Sequence, residues 1–383
     1  MTGDWTFPFC PLPPDWTVNW KAIQRRFAWV AALAGVPQDA AYHAEGDVWI
    51  HTRMVAEALT RLDAWRALEA GERATLFASA LLHDVAKPAC TRTEPDGRIT
   101  SHRHARVGAQ MARYLLWRGE GLDAALPFLE RETIARLVRF HGLPLWFLEK
   151  DDPQRAVLAA AESANLAHVA LLAEADVRGR ICADQHELLD RIALFRSFCA
   201  ESNCFTNPYP FASDQSRFVY FHHRAHSDPS YAAYNDTTFE VTLLSGLPGA
   251  GKDTWIRAHR PGWPVIALDA IRREMGVAPT DAQGAVAQEA KARARELMRQ
   301  RQSFVWNATN TTRTMRSQLV DLFASYGARI TIVYLDAPYE TLFQRNASRR
   351  EHEQVPETVI HRLMRKLDVP DTTEAHHVEW VYA

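Results

Sequence analysis

The chain is short of cysteine, of excess charge and of long apolar runs, and each shortage narrows what it can be. Its five cysteines, Cys10, Cys90, Cys182, Cys199 and Cys204, show neither CxxC spacing nor a disulfide framework, which points to a reducing interior. With 44 basic against 46 acidic residues there is no global polycation, so any contact with nucleic acid has to be local. The opening MTGDWTFPFCPLPPDW lacks the basic patch and apolar core of a signal peptide, and no apolar stretch approaches the length that spans a bilayer. The expectation is a soluble cytoplasmic protein without a membrane partner. What is plentiful is length: 383 residues, 47% of them apolar, suffice for two buried cores joined by a connector.

The most informative stretch is VTLLSGLPGAGKDT, residues 241–254, an apolar β-type run that breaks into a glycine-rich loop ending in lysine. Gly246, Gly249, Gly251 and Lys252 fit the loop in which backbone N–H groups wrap a nucleotide's phosphates and the lysine reaches the β/γ oxygens. A helix starting there points its positive end at the same phosphates. The ligand this implies is ATP with Mg²⁺. The residue after the lysine is Asp253 rather than Ser or Thr, with the hydroxyl displaced to Thr254, so hydroxyl ligation of Mg²⁺ is not assured. The GKxT ending resembles adenylate-kinase-like phosphotransferases, which argues for a kinase over a switch or motor.

Before this loop the periodicity is helical. Helices are expected over 19–36, from an Asp47 cap to about 62, and over 72–85, 102–117, 132–140 and 165–177, with no convincing strand before about residue 200. Set into these helices are His51, the adjacent His83 and Asp84, His104, His141 and Asp176. One ligand per helix is how a bundle builds a polar core site. Mixed imidazole and carboxylate donors suit one or two ions of Mn, Fe, Co, Ni or Zn, and two ions would activate water and clamp a phosphate. His43, His102, His168 and His186 read as ordinary surface or core histidines, and the 43–47 segment chiefly as a helix cap, with lining of the site's mouth as the alternative.

This half resembles the HD phosphohydrolase superfamily. HDVAKP at 83–88, HARVGA at 104–109 and EADVRGR at 174–180 are similar to its HDxxK helix end, its HxxxGA segment and its closing aspartate helix. The resemblance implies that His51, His83, Asp84 and Asp176 hold one ion, that His104 and His141 join Asp84 around a second, and that Lys87 contacts a substrate phosphate.

From about 201 to 238 the chain is dense in aromatics and proline without clear helical periodicity. This predicts an ordered connector, with base stacking on Phe218, Tyr220 or Phe221 conceivable. After it, strands and helices alternate: strands at 239–245, 265–268, 304–307 and 329–335, helices over 252–259, from 269, over 282–300 and 312–326, then helices to the end. Apolar β-branched runs between helices predict a parallel sheet with ligands at its carboxyl end. Asp269 and Arg272, the Asn307 to Asn310 segment, and Arg345, Arg349 and Arg350 all fall there.

GLPGAGKDT, Asp269-x-x-Arg272, NATNTTRTMR at 307–316 and the pair Arg345 and Arg349 resemble, in order, the landmarks of polynucleotide 5′-kinases. The resemblance implies Asp269 as general base toward a 5′-OH, Arg272 engaging the end's phosphate, and Arg345 with Arg349 over the γ-phosphate. Asn307 departs from the more frequent Asp of that segment. The domain organisation expected is 1–200, an all-α HD phosphohydrolase; 201–238, the connector; and 239–383, an α/β P-loop kinase. Together the halves resemble a bacterial RNA end-healing fusion. That implies phosphorylation of 5′-OH ends, hydrolysis of 2′,3′-cyclic, 2′- or 3′-phosphate ends, and as partners RNA ends, DNA 5′ ends and a ligase. Two other readings stand open: a small-molecule kinase fused to a nucleotide phosphohydrolase, and an ATP sensor regulating the hydrolase.

Overall fold

Two of the ligand-bearing helices begin where the sequence supplies a capping oxygen. The Asp47 side chain accepts from Ile50 N at 2.8 Å and opens helix Val48–Arg61; Asn165 accepts from Ala167 N at 2.9 Å and opens Leu166–Arg178. The computed structural model describes residues 5–222, 228–277, 284–350 and 353–382. The chain divides into two units, Met1–Pro210 and Phe211–Ala383.

The first unit is built on helices Val48–Arg61, Ala70–Leu82, His104–Trp117, Phe128–Phe140, Leu166–Arg178 and Gln185–Glu201. Val55, Leu59, Leu76, Phe77, Ile134, Val138, Val169 and Leu172 fill the space between them and are fully buried. Two details differ from expectation. The helix expected over 19–36 is broken into Trp20–Arg26 and Ala28–Ala31, because Phe27 turns extended and buries its ring 5.4 Å from that of Phe7. A small antiparallel hairpin, β1 (Arg92–Thr93) and β2 (Ile99–Thr100), appears where no strand was expected. Its pairing follows from the Asp96-Gly97 turn, not from apolar alternation.

The second unit carries five parallel strands, β3 (Phe239–Ser245), β4 (Val265–Ala267), β5 (Phe304–Asn307), β6 (Ala328–Leu335) and β7 (His377–Val381), in the order β4-β5-β3-β6-β7. Val241, Leu243, Phe304, Trp306, Ile330 and Ile332 form a core with Ala290, Ala294, Leu319 and Phe323 from the covering helices. The chain runs outward on one side of β3 and later returns to build the other side, so the carboxyl end of β3 is the topological switch point at which such sheets bind ligands. Helices Tyr339–Ala347 and Glu357–Arg365 follow β6 as expected, but β7 then closes the chain in place of further helix. It is a short, half-exposed edge strand, and the sequence carries little apolar signal for it.

The aromatic stretch is divided between the units and contains helix Asp214–His222; its residues 223–227 lie outside the described residues. Phe218 belongs to the core of the α/β unit, stacked at 3.8 Å on His376, and Tyr220 is likewise buried. Neither ring is open to a base, so the stacking reading of these two residues is corrected. The helix expected over 282–300 is seen as Gly284–Arg299, with 282 and 283 outside the described residues.

Candidate active sites

All six predicted ligands of the helical unit converge. His51 lies one turn into its helix, His83 caps the end of Ala70–Leu82 with Asp84 next to it, His104 opens its helix, His141 caps the end of Phe128–Phe140, and Asp176 sits in the last turn of Leu166–Arg178. His51 Nε2 is 3.1 Å from Asp176 Oδ1, 3.3 Å from His83 Nε2 and 3.7 Å from Asp84 Oδ2. On the other side, His104 Nε2 is 3.6 Å from Asp84 Oδ1 and 3.4 Å from His141 Nε2. Two groups result, His51, His83 and Asp176, and Asp84, His104 and His141, each with its donor atoms within 4.8 Å of one another. Asp84 turns one oxygen toward each.

The main chain fixes which nitrogen faces inward. His83 Nδ1 contacts Ala80 O at 2.7 Å, His104 Nδ1 contacts Ser101 O at 2.8 Å and His141 Nδ1 contacts Val138 O at 2.8 Å. A carbonyl only accepts, so each Nδ1 carries a proton, and in the neutral ring the Nε2 lone pair faces the centre. Both Asp84 oxygens are buried without a hydrogen bond, although the Lys87 ammonium stands 2.8 Å from Oδ2 as an ion pair. Converging lone pairs and a buried carboxylate without a hydrogen bond are what a divalent cation requires, and these residues fit one at each group.

Electrostatics agree with that use. Burial would raise the Asp84 carboxyl, but Lys87 and His83 outweigh it and hold the group well below the usual range. Asp176 is held low in the same way, chiefly by Arg180. Burial, with His104 and His83 beside it, pushes His141 down to about 3, so its ring is neutral at pH 7. His83 moves the other way: burial opposes protonation, but the Asp84 charge prevails and raises it. A proton at His83 therefore competes with a cation.

Gln38 and Arg180 of this site were not singled out in the sequence as site residues, and Glu45 only as part of the 43–47 segment. Glu45 Oε1 stands 2.9 Å from His51 Nδ1 and 2.8 Å from His43 Nδ1, and its Oε2 accepts from Ile181 N at 2.8 Å. Gln38 Oε1 accepts from Lys87 Nζ at 2.6 Å. Arg180 donates to both oxygens of Asp176. Only Arg180 left a local signal, its i,i+4 spacing from Asp176; Gln38 and Glu45 lie in a loop without periodicity. Gly179 sets the spacing between two ligand helices, since a Cβ there would stand 2.6 Å from Val55 N.

In the α/β unit the phosphate loop connects β3 to helix Lys252–His259 at the switch point. Gly246 has φ +154°, and a Cβ on it would stand 2.7 Å from Leu335 O, so only glycine lets the loop lie against the end of β6. Gly249 and Gly251 also have positive φ. The Lys252 ammonium is folded onto the loop, donating to Gly246 O and Leu247 O at 3.0 Å each. Burial and the Arg349 guanidinium push its pKa down to about 8, against the pull of Asp253 and Asp269. Arg345 donates to Gly249 O at 3.3 Å, so it lies over the loop. Asp269 and Arg272 form a 2.6 Å ion pair in the first turn after β4, with the carboxylate largely exposed. Asn307 ends β5 and donates to Asp253 Oδ1 at 2.7 Å. Thr254 is elsewhere engaged, its hydroxyl accepting from Arg257 at 3.2 Å. Asn310 and Arg316 prove to be framework: Asn310 donates to Leu244 O at 2.7 Å, and buried Arg316 pairs with Glu374.

Fold and sites thus define a bundle with a metal-type centre and a parallel P-loop sheet with a nucleotide-type loop. A family model described as HD domain matches residues 48–177, and one described as AAA domain matches residues 241–370. Residues 48–177 thus match an HD domain within the helical unit, and residues 241–370 match an AAA domain within the unit that carries the parallel five-stranded P-loop sheet. Over 142 residues it is 24% identical to the L-seryl-tRNA(Sec) kinase of Methanococcus maripaludis, which covers 35% of this chain and 55% of that protein. The chain thus spans about half the length of this curated relative. Among solved structures it is similar to a sugar kinase from Janibacter sp., at 17% identity and TM-score 0.30, over 38% of this chain and 85% of the other. It is also similar to a gluconokinase from Sinorhizobium meliloti, at 19% identity and TM-score 0.28, over 38% and 83%. No helix among the described residues is long and apolar enough by itself to cross a membrane.

Proposed function

We propose that the protein heals RNA ends, phosphorylating a 5′-OH with ATP at the P-loop site and removing a 2′,3′-cyclic, 2′- or 3′-phosphate at the HD site. The observation that carries the reading is the joint presence, in one chain, of six converging metal-type donors beside Lys87 and a phosphate loop beside the Asp269–Arg272 pair. Phosphoryl transfer to an alcohol needs a carboxylate near the hydroxyl and cations over the migrating charge. In this reading Asp269 accepts the proton of the 5′-OH and Arg272 engages the end. Lys252 and the loop N–H groups hold the β/γ phosphates, with Arg345 and Arg349 above them. At the other site, divalent cations would supply an activated water and polarise the phosphate. Lys87 presents its ammonium to that phosphate, and Glu45 and Arg180 keep His51 and Asp176 oriented. A nucleic-acid acceptor is supported by the two motif sets in this order and by a relative whose name is that of a tRNA-linked kinase. The products, a 5′-phosphate and a freed 3′ end, are the ends that a ligase joins, and DNA 5′ ends are included as acceptors. ATP as donor fits a cytoplasmic place of action.

The test uses an RNA bearing a 5′-OH and a 2′,3′-cyclic phosphate, with ATP and with Mg²⁺, Mn²⁺, Co²⁺ or Ni²⁺ in turn. Gain of the 5′-phosphate and loss of the terminal phosphate are expected. No reaction at either end, with turnover of mononucleotides or sugars instead, would replace the polynucleotide reading by small-molecule chemistry.

A further inference from the structure

The phosphate loop departs from its usual form at one residue and the end of β5 departs at another, and the structure puts the two in contact. The sequence has an acid, Asp253, where a hydroxyl is usual, and an amide, Asn307, where the resembled pattern has an acid. They are 54 residues apart in the chain, yet Asn307 Nδ2 donates to Asp253 Oδ1 at 2.7 Å.

We propose that the acid serving the Mg²⁺ of bound MgATP has moved across the site, so that Asp253 supplies the anionic contact and Asn307 the neutral one. The assignment rests on the nucleotide-binding part of the reading above and is independent of the phosphoryl acceptor. Three observations support it. The exchange conserves charge: hydroxyl plus acid and acid plus amide both sum to one negative charge, so the protein presents the same charge to a divalent ion on the triphosphate. The hydrogen bond also orients both groups. An ionised carboxylate only accepts, so Asn307 presents its NH₂ to Asp253 and keeps its carbonyl oxygen for a cation or its water. The displaced hydroxyl, at Thr254, is engaged by Arg257 of the same helix. Asp253 also gains from the positive start of helix Lys252–His259, which accounts for the acid's tolerance there but not for an amide aimed at it from another strand.

The test is calorimetric titration of the whole chain with ATP, with and without Mg²⁺, in wild type, Asp253→Ser, Asp253→Asn and the reversed pair Asp253→Ser/Asn307→Asp, each checked for an unchanged thermal melt. In wild type Mg²⁺ should tighten ATP binding. Both single variants should lose about tenfold or more of that gain while binding metal-free ATP as tightly or more tightly, because a negative charge facing the phosphates is gone. The reversed pair should recover most of the gain. A merely structural tether would instead weaken binding with and without metal alike. Full retention of the Mg²⁺ gain in either single variant, or a reversed pair no better than Asp253→Ser, overturns the assignment. A wild-type chain that binds no ATP overturns the nucleotide reading along with it.

Discussion

His83, His104 and His141 reach the same tautomer by the same means, a carbonyl three residues upstream. His51 Nδ1 instead faces a carboxylate, Glu45 Oε1, at 2.9 Å as an ion-pair contact without hydrogen-bond geometry. A carboxylate partner makes the imidazole a stronger donor, so Glu45→Gln should lower metal affinity about 10- to 100-fold, measured as metal retained through dialysis at graded chelator. Unchanged retention would remove Glu45 from the site's support. Lys252 offers a pH test. Its pKa of about 8 in the free protein lies below the ordinary lysine value, and only the ammonium pairs with phosphate. As pH rises through 8 the charged fraction falls, so ATP affinity should weaken by up to about tenfold per pH unit above that point, as fluorescence titration from pH 7 to 9.5 would show. A flat profile would mean that bound phosphate does not meet this side chain.

At the scale of elements, Gly179 decides how closely helices Val48–Arg61 and Leu166–Arg178 approach. Gly179→Ala forces a carbon to 2.6 Å from Val55 N, so one helix must shift and part Asp176 from His51. The expected cost is about 1–3 kcal/mol in stability together with weaker metal retention, read from thermal melts of metal-loaded protein. Legibility in the sequence follows the same physics. The six ligands could be read because helical spacing and helix-end motifs make a local pattern, and their carbonyl locks lie only three residues away. Gln38 could not, and Glu45 only as one residue of the 43–47 segment, because both reach the site through loop geometry that leaves no period. Phe27 broke an expected helix because its ring found Phe7 across the fold, a contact that no local pattern encodes. Strands β3, β5 and β6 were visible as apolar runs buried on both faces and β4 as a short apolar run at one edge, whereas β7, half-exposed at the other edge, was not.

For the whole molecule, the two proposed chemistries fall on separate residues of two units. Asp269→Ala should abolish 5′-phosphorylation and spare phosphate removal, while His83→Ala or Asp84→Ala should do the reverse and lower bound metal. Equal loss of both activities with an unchanged melt would refute two independent sites. The HD centre should also report its cation thermodynamically, since a ligand bound only by the folded state raises the melting temperature. Because a proton on His83 competes with that cation, the stabilisation should fade as pH is lowered.

The contact between Asp253 and Asn307 also bears on descent. A lineage that changed residue 253 alone would leave the nucleotide's cation without its acid, and one that gained an acid at 307 alone would set two like charges across a 2.7 Å gap. The passage between the two arrangements is therefore narrow, and positions 253 and 307 should be inherited as a single character. Among relatives, an acid at the first should travel with an amide at the second, and a hydroxyl with an acid.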